Sequence, residues 1–182
     1  MKINKISILG LGYIGLPLAV ILADKSCKIY GFDKDQKVLE NIKKLKIKIK
    51  EKDLLKKFKS QKVQKNFKAS NKIVKSDVYI LAVPTPFNKK VLKPDISAVK
   101  SAIYKIIHLL DAGNLIIIES TCPVGTTEII KKIIYKKRND LKKDSINISY
   151  CPERILPGNT LKELISNDRI IGGINLKSSK HA

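Results

Sequence analysis

The chain has 182 residues, 43% of them apolar and 29% charged. Those proportions exclude the disordered and fibrous classes, and the length suits one domain burying about 70% of its unfolded surface. Lysine and arginine number 37 against 16 acidic residues, a formal charge of +21, and such a field draws in anionic ligands, nucleic acid or lipid headgroups.

Only Arg138, Arg154 and Arg169 are arginines, so the guanidinium fork that reads guanine edges and phosphates is scarce. Excess lysine beside abundant isoleucine and asparagine is what an AT-rich coding sequence and solvated helix faces produce. Cys27, Cys122 and Cys151 have neither CxxC nor Cys/His spacing. This points to a reducing compartment, most simply the cytoplasm, and away from a disulfide framework or a metal site.

The start, "MKINKISILGLGYIGLPLAVILADK", puts two lysines ahead of an apolar run from Ile6 to Ala23, the outline of a signal peptide or a short membrane span. Gly10, Gly12, Gly15 and Pro17 interrupt any such helix, and strand–helix alternation follows. The stretch reads instead as a β-branched strand ending at Gly10, a turn, and a buried helix that tolerates Pro17 in its first turn. Cys27 to Asp33, "CKIYGFD", is the second strand, and Val38, Leu39, Ile42 and Leu45 mark the helix after it.

Lys46 to Lys75 is lysine-dense and reads as short helical pieces with a brief strand near Phe67 to Ser70. Asp77 to Val83 is an apolar strand of the kind covered on both faces. Pro84 and Pro86 stop it, and a rigid loop is expected next. Asp95 stands at the mouth of a helix whose stripe is Ile96, Val99, Ile103, Ile106 and Leu110, with His108 off the stripe in solvent. Asn114 to Ser120 is a further buried strand, a helix follows Pro123 and Gly125, and Ile146 to Tyr150 is the strand that leads into "CPERILPGN". No repeat or linker divides the chain. The pattern predicts an α/β fold, a doubly wound parallel sheet of the Rossmann type with right-handed crossovers, over residues 1–175. Residues 176–182 are expected as a tail with His181 disordered.

Ligands of such sheets collect beyond the carboxyl ends of the strands, where "GLGYIG", "GFD", "VPTP", "ESTCPVGTT" and "YCPER" all fall. A GxGxxG alone is weak. Here it follows a strand, opens a helix, and is followed by Asp33 after the second strand, near the expected offset of about 20 residues. Gly10 suits the turn, Gly12 the approach of a diphosphate to backbone, and Gly15 helix–strand packing. The amides of Tyr13 and Ile14 would meet the phosphates at the positive end of the helix. Asp33 would accept from the adenosine ribose hydroxyls. A phosphate there would place like charges about 4 Å apart, at roughly 1–4 kcal/mol, so NAD is favoured over NADP although Lys34 is adjacent. Thr85, Ser120, Thr121 and Thr126 each admit a turn or cap role, and their convergence on one rim favours ligand contact.

With "GLGYIGLP", "VPTP", "ESTCPVGTTE", "YCPERILPGN" and "NDRIIGG" in that order, the chain from Ile3 to Gly173 resembles the nucleotide-sugar 6-dehydrogenases, the UDP-glucose dehydrogenase superfamily. Arg154, where the UDP-glucose enzymes usually carry phenylalanine, makes it most similar to the UDP-N-acetyl-D-mannosamine branch. The resemblance implies NAD-dependent, two-step oxidation of a UDP-N-acetylhexosamine alcohol to the uronate, with two NAD reduced and no aldehyde released, in surface-polysaccharide precursor synthesis. It implies that Gly10, Gly12, Tyr13, Ile14, Gly15, Asp33, Thr85 and Thr126 contact NAD. Thr121 and Glu153 would flank the reacting carbon, and Arg154 and Ile155 would touch the nucleotide sugar. Glu153 suits water activation as a general base, against the alternative of a solvated or ion-paired loop acid.

The departures are as informative. In the family the nucleophilic cysteine lies in a GGxCxxKD-like stretch and the catalytic lysine in a central helical region, and Ala182 precedes both. Cys122 and Cys151 do not match that motif and read as packing residues. Pro157 stands where some relatives have a second glutamate. The expectation is therefore the NAD-binding N-terminal part, inactive alone, without the central helical and UDP-binding C-terminal domains: an excised piece, a truncated gene product, or one part of a split enzyme whose C-terminal half is separately encoded. A non-catalytic remnant is the alternative. A basic nucleic-acid-binding protein is a further one, for which only Lys46 to Lys75 speaks.

Overall fold

The computed structural model describes residues 3–47, 49, 51–89, 92–156 and 158–182. In chain order the elements are β1 (Lys5–Leu9), α1 (Gly15–Asp24), β2 (Lys28–Phe32), α2 (Gln36–Lys43), α3 (Lys52–Phe58), α4 (Gln61–Asn66), β3 (Phe67–Ser70), β4 (Val78–Leu81), β5 (Phe87–Asn88), β6 (Lys93–Pro94), α5 (Ser97–Ile106), β7 (Leu115–Ile118), α6 (Thr126–Lys137), β8 (Asn147–Tyr150), α7 (Thr160–Ser166), β9 (Gly172–Gly173) and α8 (Leu176–His181).

Seven strands form one sheet in the order β3-β2-β1-β4-β7-β8-β9, parallel throughout except where β9 pairs antiparallel with β8. Alternation along β4 shows why these strands carry so few polar residues. Val78 and Ile80 pack with Ile6, Ile8, Leu16 and Val20 on the side of α1 to α4. Tyr79 and Leu81 pack with Ile103, Ile116, Ile118 and Ile134 on the side of α5 and α6. Helices cover both faces, so both sets of alternating side chains are apolar. Strand order reverses between β1 and β4, which opens the crevice where doubly wound sheets bind ligands.

Helix starts follow local chemistry. Asp35 accepts from the Lys37 amide at 2.8 Å to open α2, and Asp95 accepts from the Ser97 amide at 2.8 Å to open α5. α1 has no side-chain cap, which leaves its first amides for another partner.

Several expectations change. The rigid loop after Pro86 contains an antiparallel hairpin, β5 with β6. α5 stops at Ile106 and a 3-10 turn, Ile107–Leu109, follows, so Leu110 lies beyond the helix although it is buried. "NDRIIGG" supplies the edge strand β9, which two residues without periodicity do not announce. His181 is not disordered: it ends α8, inside the stretch expected as a tail. That helix is anchored by the fully buried Ser178, whose Oγ accepts from the Ile148 amide at 3.3 Å and whose carbonyl accepts from Ser149 Oγ at 2.8 Å. His108 is exposed, as expected. Pro157 lies outside the described residues. Among the described residues no helix is long and apolar enough to cross a membrane.

Candidate functional site

The bend between β1 and α1 is shaped by what its glycines exclude. Gly10 has φ +95° and donates its N–H to the Phe32 carbonyl at 2.8 Å, and a Cβ there would drive into the Ala82 carbonyl. A Cβ on Gly15 would overlap the Gly10 carbonyl oxygen, so Gly15 permits helix and turn to touch. Gly12 differs: a Cβ would meet nothing within 4 Å, because the residue opens onto solvent. Among the described residues the N–H groups of Gly12, Tyr13 and Ile14 have no protein partner.

Asp33 turns toward this bend. Its Oδ2 accepts from the Leu11 amide at 2.9 Å and its Oδ1 from the Asp35 amide at 2.9 Å. Each oxygen keeps a further lone pair for a ligand hydroxyl. From Asp33 and Lys34 a cleft of about 900 Å³ runs past Gly10 and Gly12–Ile14, along Val83–Thr85, to Glu119–Thr121, Glu153 and Ile155. Open space at Gly12, unpartnered amides at a helix mouth and a carboxylate beside them fit a diphosphate with a ribose attached.

The expected residues do not all reach the cleft. Gly10, Gly12, Tyr13, Ile14, Asp33, Thr85, Thr121, Glu153 and Ile155 line it, whereas Gly15 lies beneath it as a packing residue. Thr126 is buried and donates Oγ1–H to the Pro123 carbonyl at 2.7 Å, turning the chain into α6. It does not line the cleft, and its role there is that of the turn. Ser120 lines the cleft, but its hydroxyl is committed: it accepts from the Val83 amide at 2.9 Å and donates to the Val83 carbonyl at 2.7 Å. Arg154 is not with Glu153. It lines a separate cleft of about 420 Å³ with Asn159, Lys162 and Glu163.

Glu153 is an ion-paired loop acid, as the alternative expectation had it, its side chain 9% exposed beside Arg169. Its Oε1 accepts from the Arg154 amide at 2.6 Å, and its Oε2 faces Arg169 Nη1 at 3.4 Å. A second guanidinium nitrogen, Nη2, donates to Glu119 and, at 3.3 Å, to the Cys151 carbonyl. Glu119 is only 3% exposed. Burial pushes its carboxyl up to about 7; Arg169 pulls the other way and the Glu153 carboxylate adds to the rise. Burial disfavours the Arg169 charge, and Glu119 and Cys151 together more than offset it. Burial also pushes the Cys122 thiol up to about 11 and raises that of Cys151, so neither is a ready thiolate at neutral pH.

Sequence reasoning missed Glu119, Arg169 and Glu51. Glu119 had a signal: a charged residue closing the apolar strand "LIII" must be paired if buried. Glu51 accepts from Thr160 Oγ1 at 2.6 Å and from the Thr160 amide at 3.0 Å, and stands 3.3 Å from the Tyr13 hydroxyl. It thereby ties the loop after β8 to the mouth of α1.

A model of the UDP-glucose/GDP-mannose dehydrogenase family, NAD binding domain, matches residues 4–182. The chain is 45% identical over its whole length to 41% of the UDP-N-acetyl-D-mannosamine dehydrogenase of Methanococcus vannielii. It is 40% identical over its whole length to 46% of the enzyme of that name from Campylobacter jejuni. The solved UDP-N-acetyl-mannosamine dehydrogenase of Staphylococcus aureus superposes with a TM-score of 0.90 at 35% identity, over 98% of this chain and 43% of that one. The chain thus spans less than half the length of these relatives.

Proposed function

Because the chain belongs to the UDP-glucose/GDP-mannose dehydrogenase family through its NAD binding domain, we propose that it is the cofactor-holding part of an NAD-dependent oxidation of UDP-N-acetyl-D-mannosamine at its primary alcohol. The single observation that carries this reading is the conjunction at the β1–α1 bend of the space over Gly12, the unpartnered amides of Gly12–Ile14 and the inward-turned Asp33. When bound, NAD supplies the hydride acceptor.

This chain's residues bind and orient. The amides at the mouth of α1 hold the diphosphate, with the helix dipole adding to their attraction. Asp33 accepts from the ribose hydroxyls on one side. Thr85 and Thr121 line the path of the other half, and Ile155 supplies an apolar wall near Thr121 and Glu153. Glu153 holds a carboxylate where a general base could take a proton from water, oriented by the Arg154 amide and Arg169. The covalent step and retention of the UDP group require residues supplied by a longer polypeptide or by a separate C-terminal half.

Calorimetry with NAD at two salt concentrations tests the binding reading. Saturable binding that survives added salt is expected, and DNA binding that falls steeply with salt, without NAD binding, would replace it with counterion release by a basic surface. NADH formation from UDP-N-acetyl-D-mannosamine, only when the C-terminal half of a relative is added, is the result expected for substrate and partner. No turnover in that mixture would remove both.

A further inference from the structure

The cleft's charges are balanced differently at its two ends. At the β2 end Lys34 and Lys105, the latter with Nζ 5.8 Å from the Phe32 ring centroid, stand with Asp33, and Asp95 also lines the cleft. At the β7 and β8 end stand Glu119 and Glu153, two carboxylates served by the single guanidinium of Arg169. Arg154, the other cation near in sequence, lines a different cleft. Among the described residues the far end of the site therefore has one more negative than positive charge when both acids are ionised.

We infer that the Glu119–Arg169–Glu153 cluster sets which redox form of the dinucleotide the cleft prefers, its net negative charge favouring the cationic nicotinamide of NAD+ over the neutral ring of NADH. The inference rests on the dinucleotide reading and goes beyond it. Asp33 fixes the adenosine half over β2, and the amides of Gly12–Ile14 fix the diphosphate at β1. The remaining half would continue across the crevice over β4 toward β7 and β8, since dinucleotides bridge the point where strand order reverses. Asp33 and Glu119 follow strands three spacings apart, about 14 Å, so the nicotinamide half is the one that approaches the acids. NAD+ and NADH share every other group, and the charge on that ring is the property the cluster can distinguish.

The charged groups that face Glu119 are Arg169 from the segment before β9, Glu153 after β8, and the Cys151 thiol at the end of β8. His108 and His181 do not line the cleft. Protonating Glu119 neutralises the cluster, so preference for NAD+ should fade toward acid pH. A unit charge about 10 Å away in a medium of effective dielectric about 20 changes the affinity ratio by about tenfold.

The test is to titrate the 182-residue chain with NAD+ and with NADH at pH 6 and pH 8.5, wild type and Glu119→Gln, taking the ratio of the two dissociation constants. The expected result is a preference for NAD+ about tenfold greater at pH 8.5 than at pH 6 in the wild type, and a flat, weaker preference in Glu119→Gln. A wild-type ratio independent of pH overturns the inference, as does a pH dependence that survives Glu119→Gln. Should the variant fail to fold, the wild-type series alone decides. Binding of both forms with a flat ratio leaves the dinucleotide site standing and removes only the cluster's role, whereas a folded chain that binds neither form overturns both.

Discussion

Gly12 and Gly15 should respond to the same substitution in opposite ways. Gly12→Ala places a methyl where nothing lies within 4 Å, so folding stability should change by no more than about 0.5 kcal/mol. That methyl occupies the space through which a diphosphate must approach the Gly12, Tyr13 and Ile14 amides. Losing two charge-assisted hydrogen bonds at about 1.5 kcal/mol each removes about 3 kcal/mol, or roughly 100-fold in affinity. Gly15→Ala instead drives a methyl into the Gly10 carbonyl, which is backbone and cannot swing aside. Overpacking there should cost about 1–3 kcal/mol, lowering Tm by about 2–4 °C for each kcal/mol. Thermal melts without ligand and calorimetric titration with NAD read the two effects separately. A Gly12→Ala protein that binds NAD as tightly as the wild type would refute the placement of the diphosphate. A Gly15→Ala protein of unchanged Tm would refute the packing role.

Asp33→Asn keeps an acceptor for the Leu11 amide but removes the charge that repels a 2′-phosphate, so the preference for NAD over NADP should fall by about tenfold; an unchanged ratio of dissociation constants would count against Asp33 as the discriminator. The stability of the chain should also report on Glu119. Burial holds its folded-state carboxyl near 7, above the ordinary 4.5. Between those values the folded chain keeps a proton that the unfolded chain has shed, and its stability declines as pH rises to about 7. Urea midpoints at pH 5 and pH 8 should therefore differ more in the wild type, in the destabilising direction at pH 8, than in Glu119→Gln, and parallel profiles would contradict the burial argument. Ile116→Ala, at a fully buried position of β7, should lose about 2–5 kcal/mol in urea melts with an unchanged m value. A loss below 1 kcal/mol would mean that the core side under α5 and α6 is loosely packed.

What the sequence discloses and what it hides divide by distance along the chain. The glycine bend, the acid after β2 and the two-faced apolar strands are local patterns, readable because turn geometry and side-chain alternation act over a few residues. The brief strand at Phe67 to Ser70 was legible in the same way despite the lysines around it. Arg169 reaches Glu119 across 50 residues and Glu51 reaches Thr160 across 109. Nothing in either short stretch specifies its partner. Thr126 and Arg154 carried the right chemistry for a site, and the backbone around them directed it elsewhere: one hydroxyl into its own turn, one side chain into a neighbouring cleft. Residue type and motif order put both near the strand ends, but only the folded path decides which side chains face the crevice.

Amide chemical-shift mapping of the isotopically labelled chain during titration with NAD tests the central claim most directly. Saturable shifts concentrated at the amides of Leu11–Ile14, Phe32–Lys34, Val83, Thr85, Ser120 and Thr121 are expected. Shifts confined to the cleft beside Arg154 and Asn159, or spread over the lysine-rich surfaces of α3 and α4, would contradict it.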